Sequence, residues 1–212
     1  SCMWSFRLYA SLLSLTLISA ASAATIPVTT SADSVATDGS CSLREAITAA
    51  NQNTGGIMTG ECPAGDASGQ DQIVFAIPGS GPHQILVQTQ LPAVTSPLSS
   101  DGYTQAGSSP NTIADLSAGD NAVWMIEING SQSGSTSKPG LQLNGSNASN
   151  TRIRGLRISG FSTPQCCADI GIALSGSGIS QVQILGNRIE GNSERGIYIQ
   201  ALGNPHNSVQ IG

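Results

Sequence analysis

The stretch TRIRGLRISGF at 151–161 is followed by a related stretch, VQILGNRIEGN, at 182–192. At an offset of 31 residues the two share two isoleucines, two glycines and an arginine. The matched pairs are Ile153 with Ile184, Gly155 with Gly186, Arg157 with Arg188, Ile158 with Ile189, and Gly160 with Gly191. A shared order of residue types at a fixed offset indicates an internal structural repeat.

A second element recurs beside the first. GLQLNGSN begins at Gly140, GIALSGSG at Gly171 and GIYIQALG at Gly196, so the first interval is again 31 residues and the second is 25. The closing SVQIG, 208–212, begins a third copy of the first element. Two elements that share one offset support a single repeating unit.

Each copy contains short runs in which apolar and polar residues alternate, such as Ile172/Leu174 and Ile197/Ile199, between corners of Gly, Asn and Ser. This alternation is typical of β-strands, and Gly or Asn at a corner tolerates left-handed backbone geometry. Stacked turns would place like aliphatic side chains on each other, which stabilises by roughly 1.5–3 kcal/mol per buried side chain. The repeats therefore predict an all-β parallel solenoid. A β-sandwich is the alternative, but it would not produce aligned repeats.

Strand-like runs bounded by Pro, Gly and Asp also precede the repeats. Aromatic residues make up only 4 % of the chain, which suits a thin core of Ile, Leu and Val. A polar, turn-rich loop is predicted at 101–111. The predicted strands are TIPVTTSADS (25–34), DQIVFAIPG (71–79), HQILVQTQLP (83–92) and AVWMIEING (122–130).

The stretch SLREAITAAN at 42–51 predicts a short α-helix. Ser42 precedes Glu45 by three residues, the spacing of a capping box. Leu43, Ala46, Ile47 and Ala50 share one apolar face, and Asn51 with the following NTGG predicts the end. We expect the helix to cover the apolar end of the first layer of strands, which gives Arg44 and Glu45 a structural role and not a catalytic one.

The N-terminus predicts export. Arg7 precedes an apolar run, 8–18, and the small residues Ala21-Ser22-Ala23 follow it. This order is typical of a secretory signal peptide, here 1–23 with cleavage after Ala23. The run is too short for a membrane anchor, which needs about 20 residues. We expect a secreted or cell-surface protein with no membrane span in the mature chain.

Four cysteines follow the predicted signal peptide. We expect Cys41 and Cys62 to form a disulfide, which would stabilise by roughly 3 kcal/mol in the chain-entropy model. The adjacent Cys166-Cys167 can form a vicinal bridge, stay reduced or link to a partner, and a reactive redox site is the less favoured interpretation. No CxxC motif or paired histidine accompanies these two cysteines, so a metal site is not predicted.

The quoted stretches resemble a known family. CSLREAITAAN, DQIVFAIPG and DGYTQAG, followed by GLRISGF and GNRIEGN, look like bacterial secreted proteins with a CSLREA-type N-terminal region before right-handed parallel β-helix repeats. The resemblance implies a right-handed β-helix, with a cap region at 24–70 and repeats at 71–212. It also implies a module at the start of longer exported or surface-attached proteins. The chain stops within a repeat, so we expect a longer polypeptide.

The residues do not predict an active site. Hydrolysis of a glycosidic bond generally requires two facing carboxylates, and the repeats offer only Asp169, Glu190 and Glu194. His83 and His206 have no evident partners in the sequence. The chain has a net charge of −5 and therefore lacks the dominant basic field of a nucleic-acid binder. We therefore assign no catalytic residue, cofactor or metal ligand, and no nucleic-acid partner.

Four arginines in the repeats form a candidate anion-binding face. They are Arg152, Arg154, Arg157 and Arg188, of which the last two should stack. The alternative is a solvated face whose charges offset Glu190 and Glu194. The first functional hypothesis is an exported, non-catalytic module for extracellular or cell-surface binding or adhesion, with a polysaccharide or another cell-surface component as the candidate ligand. The others are an N-terminal fragment of a β-helix polysaccharide lyase or glycoside hydrolase, and a structural stalk.

Overall fold

A computed structural model describes residues 23–52, 61–134, 138–162, 169–200 and 208–212. Most of the predicted signal peptide and the Cys166-Cys167 pair lie outside these ranges. Within them the chain forms thirteen β-strands, one α-helix and three short 3-10 turns. The helix α1 spans Leu43–Gln52, and the turns span Gly102–Thr104, Leu116–Ala118 and Ser146–Ala148.

The strands are short, with three to six residues each. In chain order they are β1 Thr25–Val28, β2 Asp71–Phe75, β3 His83–Leu86, β4 Leu98–Asp101, β5 Ile126–Asn129, β6 Leu141–Asn144, β7 Arg152–Arg154, β8 Arg157–Ser159, β9 Ile170–Ser175, β10 Val182–Leu185, β11 Arg188–Glu190, β12 Arg195–Ile199 and β13 Val209–Ile211.

The strands form three sheets, and every strand pairing is parallel. The first sheet has the order β1-β2-β4-β7-β10-β13, the second β11-β8-β5-β3 and the third β12-β9-β6. From β7 onward the chain enters the first, second and third sheets in turn and then returns to the first. Apart from β1 and β2, consecutive strands do not pair with each other. The fold is all-β, as the sequence predicts.

Strand register confirms the alignment of the repeats. Ile153 lies beside Ile184 in the pairing of β7 with β10, and Ile158 lies beside Ile189 in that of β8 with β11. In the third sheet Leu174 lies beside Ile199. Like aliphatic side chains thus follow one another across each sheet, in the positions that the 31-residue and 25-residue intervals predict.

Glycines turn the chain from one sheet to the next. Gly155 (φ 69°) and Gly186 (φ 59°) occupy equivalent corners in the left-handed region, which is strained for residues with a Cβ. Asn187, next to one of them, links adjacent corners with its amide. Its Oδ1 accepts from the Leu156 amide at 3.0 Å, and its Nδ2 donates to the Ile153 carbonyl at 2.8 Å. Glycine supplies the turn, and asparagine satisfies backbone groups that no strand pairs.

The helix α1 packs its apolar face against the first sheet. Leu43 and Ile47 are 1 % exposed and line a small internal gap together with Ile73 and Leu98. The disulfide between Cys41 and Cys62 is present, with the Cα atoms 5.0 Å apart. No helix in the described part of the chain is both long enough and apolar enough to cross a membrane.

Both charged residues at the start of α1 have structural partners. The Ser42 amide donates to Glu45 at 2.9 Å, and the Glu45 amide donates to Ser42 Oγ at 3.2 Å, which are the two hydrogen bonds of a capping box. Arg44 donates to both carboxylate oxygens of Asp33 at 2.9 Å. It also donates to the carbonyls of Thr89 and Gln90. Arg44 thereby ties the helix to the segment that follows β1 and to the segment that follows β3.

Candidate binding surface

The four arginines of the candidate anion-binding face lie on two different sheets. Arg152 and Arg154 are in β7 of the first sheet. Arg157 in β8 and Arg188 in β11 are register partners in the second sheet, so these two stack as the sequence predicts. The structure therefore brings the arginines together in two pairs, on either side of the corner that contains Gly155.

Acidic side chains accompany both arginines of the second sheet. Arg157 Nε lies 2.8 Å from Glu190, and Arg157 Nη1 lies 3.4 Å from Glu127. Arg188 Nε lies 2.9 Å from the other oxygen of Glu190. Two arginines and two glutamates thus form one neutral network, with each guanidinium about half-exposed.

The first sheet shows a similar pairing at one of its arginines. Arg154 Nη2 lies 2.5 Å from Asp101 Oδ2, and its guanidinium carbon lies 6.0 Å from the centroid of the Tyr103 ring. Arg152 differs, because it takes part in none of the ion pairs among the described residues. The Nε atoms of Arg152 and Arg154 are both buried without a hydrogen-bond partner in that part of the chain. Three of the four predicted arginines therefore carry a charge that a neighbouring carboxylate offsets.

Glu127 is the best-connected residue of this surface. Its side chain accepts hydrogen bonds from Ser159 at 2.6 Å, and from Asn129 and Gln84 at 3.1 Å. Burial opposes its ionisation, but these hydrogen bonds and the attraction of Arg157 outweigh burial and lower its pKa. Glu127 is therefore a carboxylate at neutral pH.

Glu190 is also held in its ionised form. The hydrogen bond from Arg188 lowers its pKa most, burial opposes this, and Arg157 lowers it further. A glycosidase needs one carboxyl group that stays protonated and donates its proton to the leaving oxygen. The pKa values of Glu127 and Glu190 are both lowered, which is the opposite of the shift that such a proton donor needs.

A cleft opens beside this network, at the corner between the first and second sheets. Tyr103 follows β4, and Trp124 precedes β5 by two residues. The Tyr103 hydroxyl donates to the Gly186 carbonyl at 2.7 Å, and Trp124 Nε1 donates to the same oxygen at 2.9 Å. We call the space that these two rings border the corner cleft. Its volume is about 460 Å³.

Local sequence explains the placement of Tyr103. Asp101 Oδ1 accepts from the Tyr103 amide at 3.1 Å and so shapes the 3-10 turn Gly102–Thr104. A Cβ at position 102 would lie 2.1 Å from the Gly155 carbonyl oxygen, and one at position 155 would lie 2.7 Å from the Tyr103 ring. Because positions 102 and 155 are both glycine, the Tyr103 side chain has room to pass over Gly155 and reach the Gly186 carbonyl.

The rim of the corner cleft is polar. Asn111, Asp120 and Asn187 line it together with the two rings. Burial raises the pKa of Tyr103, and the nearby charge of Asp120 raises it further, so the phenol stays protonated as a donor. Arg188 lies 5.7 Å from the centroid of the Trp124 ring, beside the cleft. Two partly buried aromatic rings with amide and carboxylate groups around them give the corner cleft the composition of a candidate binding site.

The sequence analysis assigns no functional role to Tyr103, Trp124 or Glu127. Tyr103 lies in a stretch predicted only as a polar loop, and Trp124 in a stretch predicted only as a strand. A usable signal existed, because in a chain so poor in aromatic residues a tyrosine in a polar loop needs an explanation. Within the described ranges no group of three or more His, Cys, Asp or Glu side chains could hold a metal ion.

Comparison with known proteins identifies no relative of this chain. No protein-family model matches the chain, no curated protein matches it, and no solved structure matches it.

Proposed function

We propose that this chain is an exported, non-catalytic module that binds an extracellular polysaccharide at the corner cleft. In this proposal the three parallel sheets are the faces of a right-handed parallel β-helix, and α1 covers its first layer. The cyclic order in which the chain visits the sheets supports this architecture, as does the stacking of like isoleucines. The resemblance to CSLREA-type secreted proteins supports it as well.

Export fits the redox chemistry of the chain. Disulfides persist in oxidising compartments outside the cytosol, and Cys41 is bonded to Cys62. Together with the predicted signal peptide at 1–23, this supports secretion or display at the cell surface. The same resemblance supports a place for the module within a longer polypeptide.

One observation carries the binding proposal: Tyr103 and Trp124 are fixed on a single carbonyl at the edge of an open cleft. The Tyr103 hydroxyl and Trp124 Nε1 are both hydrogen-bonded to the Gly186 carbonyl. The parts of the two rings that remain for a ligand are therefore their apolar surfaces. Sugar rings present a C–H face that packs on aromatic rings and hydroxyls that bond to amide and carboxylate groups. Asn111 and Asp120 are such groups at the rim.

The ion pairs favour a neutral polysaccharide over an acidic one. Arg157 and Arg188 are offset by Glu127 and Glu190, and Arg154 is offset by Asp101. An acidic ligand would have to compete with these carboxylates. A hydroxyl-rich ligand can instead bond to the half-exposed guanidinium and carboxylate groups without separating them.

Affinity electrophoresis in gels that contain soluble neutral or acidic polysaccharides tests the proposal. We expect a neutral polysaccharide to retard the protein, and Trp124→Ala to weaken that retardation at least about tenfold. Stacking of a nucleic-acid base on an aromatic ring contributes on the order of 1–3 kcal/mol, and we expect a sugar ring packed on Trp124 to contribute a similar amount. Arg152→Ala is the matched control, since Arg152 lies on the first sheet away from the cleft. It should bind as the parent does.

Other outcomes would replace the proposal with a defined alternative. Equal retardation of the parent and Trp124→Ala would place binding outside the cleft. Retardation only by acidic polysaccharides, lost in Arg157→Ala, would favour the anion-binding face. Shortening of the polysaccharide during incubation would favour the lyase or hydrolase hypothesis, and no retardation by any polysaccharide would favour the stalk.

A further inference from the structure

A buried carboxylate lies beside the first residue that follows the predicted signal peptide. The Ala24 backbone nitrogen donates to Asp71 Oδ1 at 3.1 Å. The Asp66 amide donates to the same oxygen at 3.0 Å. Asp71 is only 1 % exposed. Its carboxylate is therefore directed at the chain at the point where cleavage after Ala23 would create a new terminus.

The sheet fixes the position of this nitrogen. The Gln72 amide donates to the Ala24 carbonyl at 2.8 Å, and Thr25 lies beside Gln72 in the pairing of β1 with β2. Ile26, two residues further on, is fully buried. Because these contacts all lie on the C-terminal side of the Ala24 nitrogen, they persist when the residues before it are removed.

No cation pairs with Asp71 among the residues that the structure describes. Its hydrogen bonds come from backbone amides. Burial accordingly raises its pKa. A buried carboxylate without a paired positive charge is costly, so the site is suited to receiving one.

We propose that Asp71 is the binding site for the α-ammonium group that cleavage after Ala23 releases. A signal peptidase hydrolyses the bond between the Ala23 carbonyl carbon and the Ala24 nitrogen. Water supplies the hydroxyl of the new Ala23 carboxyl group and a proton to the nitrogen, which takes up a further proton at neutral pH. Ala24 then carries a positive charge at hydrogen-bond distance from Asp71, and processing completes a buried ion pair.

The close approach of Gly69 to Ala23 supports this assignment. A Cβ at Gly69 would lie 3.1 Å from the Ala23 Cα and 3.2 Å from its nitrogen. These are tight contacts with backbone atoms that leave when the bond is cut. Gly69→Ala should therefore cost stability in the uncleaved chain and little in the processed one. The inference rests on the proposed export, with cleavage after Ala23, but not on carbohydrate binding, so the binding proposal and this one can fail separately.

Amine labelling tests the ion pair, because Lys138 is the only lysine of the chain and serves as an internal reference. The full chain is exported from a bacterial host, and mass spectrometry identifies its N-terminus. Acetylation rates of the two amines are then measured across a pH series. We expect the Ala24 amine to have a pKa above its ordinary value and to react at least about tenfold more slowly at neutral pH than in urea.

Asp71→Asn provides the matched variant. In that protein the Ala24 amine should react at its ordinary rate, while the Lys138 rate should not change. If Asp71→Asn does not fold, the comparison of the native and urea-unfolded parent still decides. A mature N-terminus elsewhere than Ala24, or an Ala24 amine whose pKa is the same in native and unfolded protein, overturns the proposal.

Discussion

Ile153 lies beside Ile184 in adjacent parallel strands, although 31 residues of chain separate them. Both side chains are buried, at 1 % and 2 % exposure. We expect Ile153→Ala to lower the free energy of unfolding by about 2–5 kcal/mol, because it leaves a cavity between stacked layers. Ile153→Val removes one methylene and should cost about 0.5–1.5 kcal/mol. Urea denaturation measures both, and equal small losses would contradict a close-packed column.

The corner at Gly155 gives a prediction about backbone and side-chain contacts together. Gly155 and Gly145 both have positive φ, at 69° and 78°. A Cβ at Gly145 would meet nothing within 4 Å, whereas one at Gly155 would meet the Tyr103 ring at 2.7 Å. Gly145→Ala should therefore cost only the backbone strain of its conformation, φ 78° and ψ 169°, which is about 1–3 kcal/mol. Gly155→Ala should lower the free energy of unfolding clearly more than Gly145→Ala does, which thermal unfolding measures. A smaller loss of stability in Gly155→Ala than in Gly145→Ala would argue against the placement of Tyr103.

The disulfide gives a prediction that depends on redox conditions. Cys41→Ser with Cys62→Ser should lower stability by about 2–5 kcal/mol, because the unfolded chain regains the freedom of the closed loop. A reducing agent should lower the melting temperature of the parent and leave that of the double variant unchanged. A parent whose melting temperature is insensitive to reduction would show that the bond contributes little.

The helix α1 gives a prediction about its apolar face. Leu43→Asp places an unpaired charge at a position that is 1 % exposed, and we expect a loss of at least about 3 kcal/mol. Val35→Asp introduces the same group at a position that is 50 % exposed and should change stability little. Far-UV circular dichroism during heating distinguishes them. Similar melting temperatures would mean that α1 is not needed to cover the sheet.

Glu127 gives a prediction about pH. Its folded-state pKa is lowered from the ordinary value of 4.5. The stability that it contributes is thus fully present above that ordinary value and is lost as pH falls through the lower, folded-state pKa. Glu127→Gln should remove this part of the acid dependence, so the difference in stability between parent and variant should shrink as pH falls below the ordinary pKa of 4.5. A difference that stays constant from pH 7 to pH 3 would contradict the assignment.

Much of the fold could be predicted because its core is repetitive. The alternation in 151–161 and 182–192 identifies four strands, and the offset identifies their partners. The strand β4 could not be found in this way, because Ser100 occupies the buried position beside Ile153 and interrupts the apolar pattern. A polar residue in an inward position hides a strand from any method that depends on hydrophobic alternation.

The candidate site was harder to predict than the fold. The sequence places Arg157 beside Arg188, since both belong to the repeat, but it cannot show that Glu127 lies next to Arg157, because β5 has no counterpart in the aligned stretches. The corner cleft depends on Tyr103 reaching across Gly155 to Gly186, a contact between residues more than 80 positions apart. Contacts between residues so far apart in the sequence depend on which strands pair in the sheets, and no local sequence pattern predicts them.

The order in which the chain visits its sheets has a consequence for how such a protein can grow. The segment that holds β7, β8 and β9 adds one strand to each sheet and returns the chain to the first sheet. Duplicating a unit of this kind would extend every sheet by one strand spacing, about 4.8 Å, and leave the other pairings intact. Insertions of other lengths change the connections and leave the pairings intact, as the intervals of 31 and 25 residues show, so the sheets are expected to extend only in whole strands.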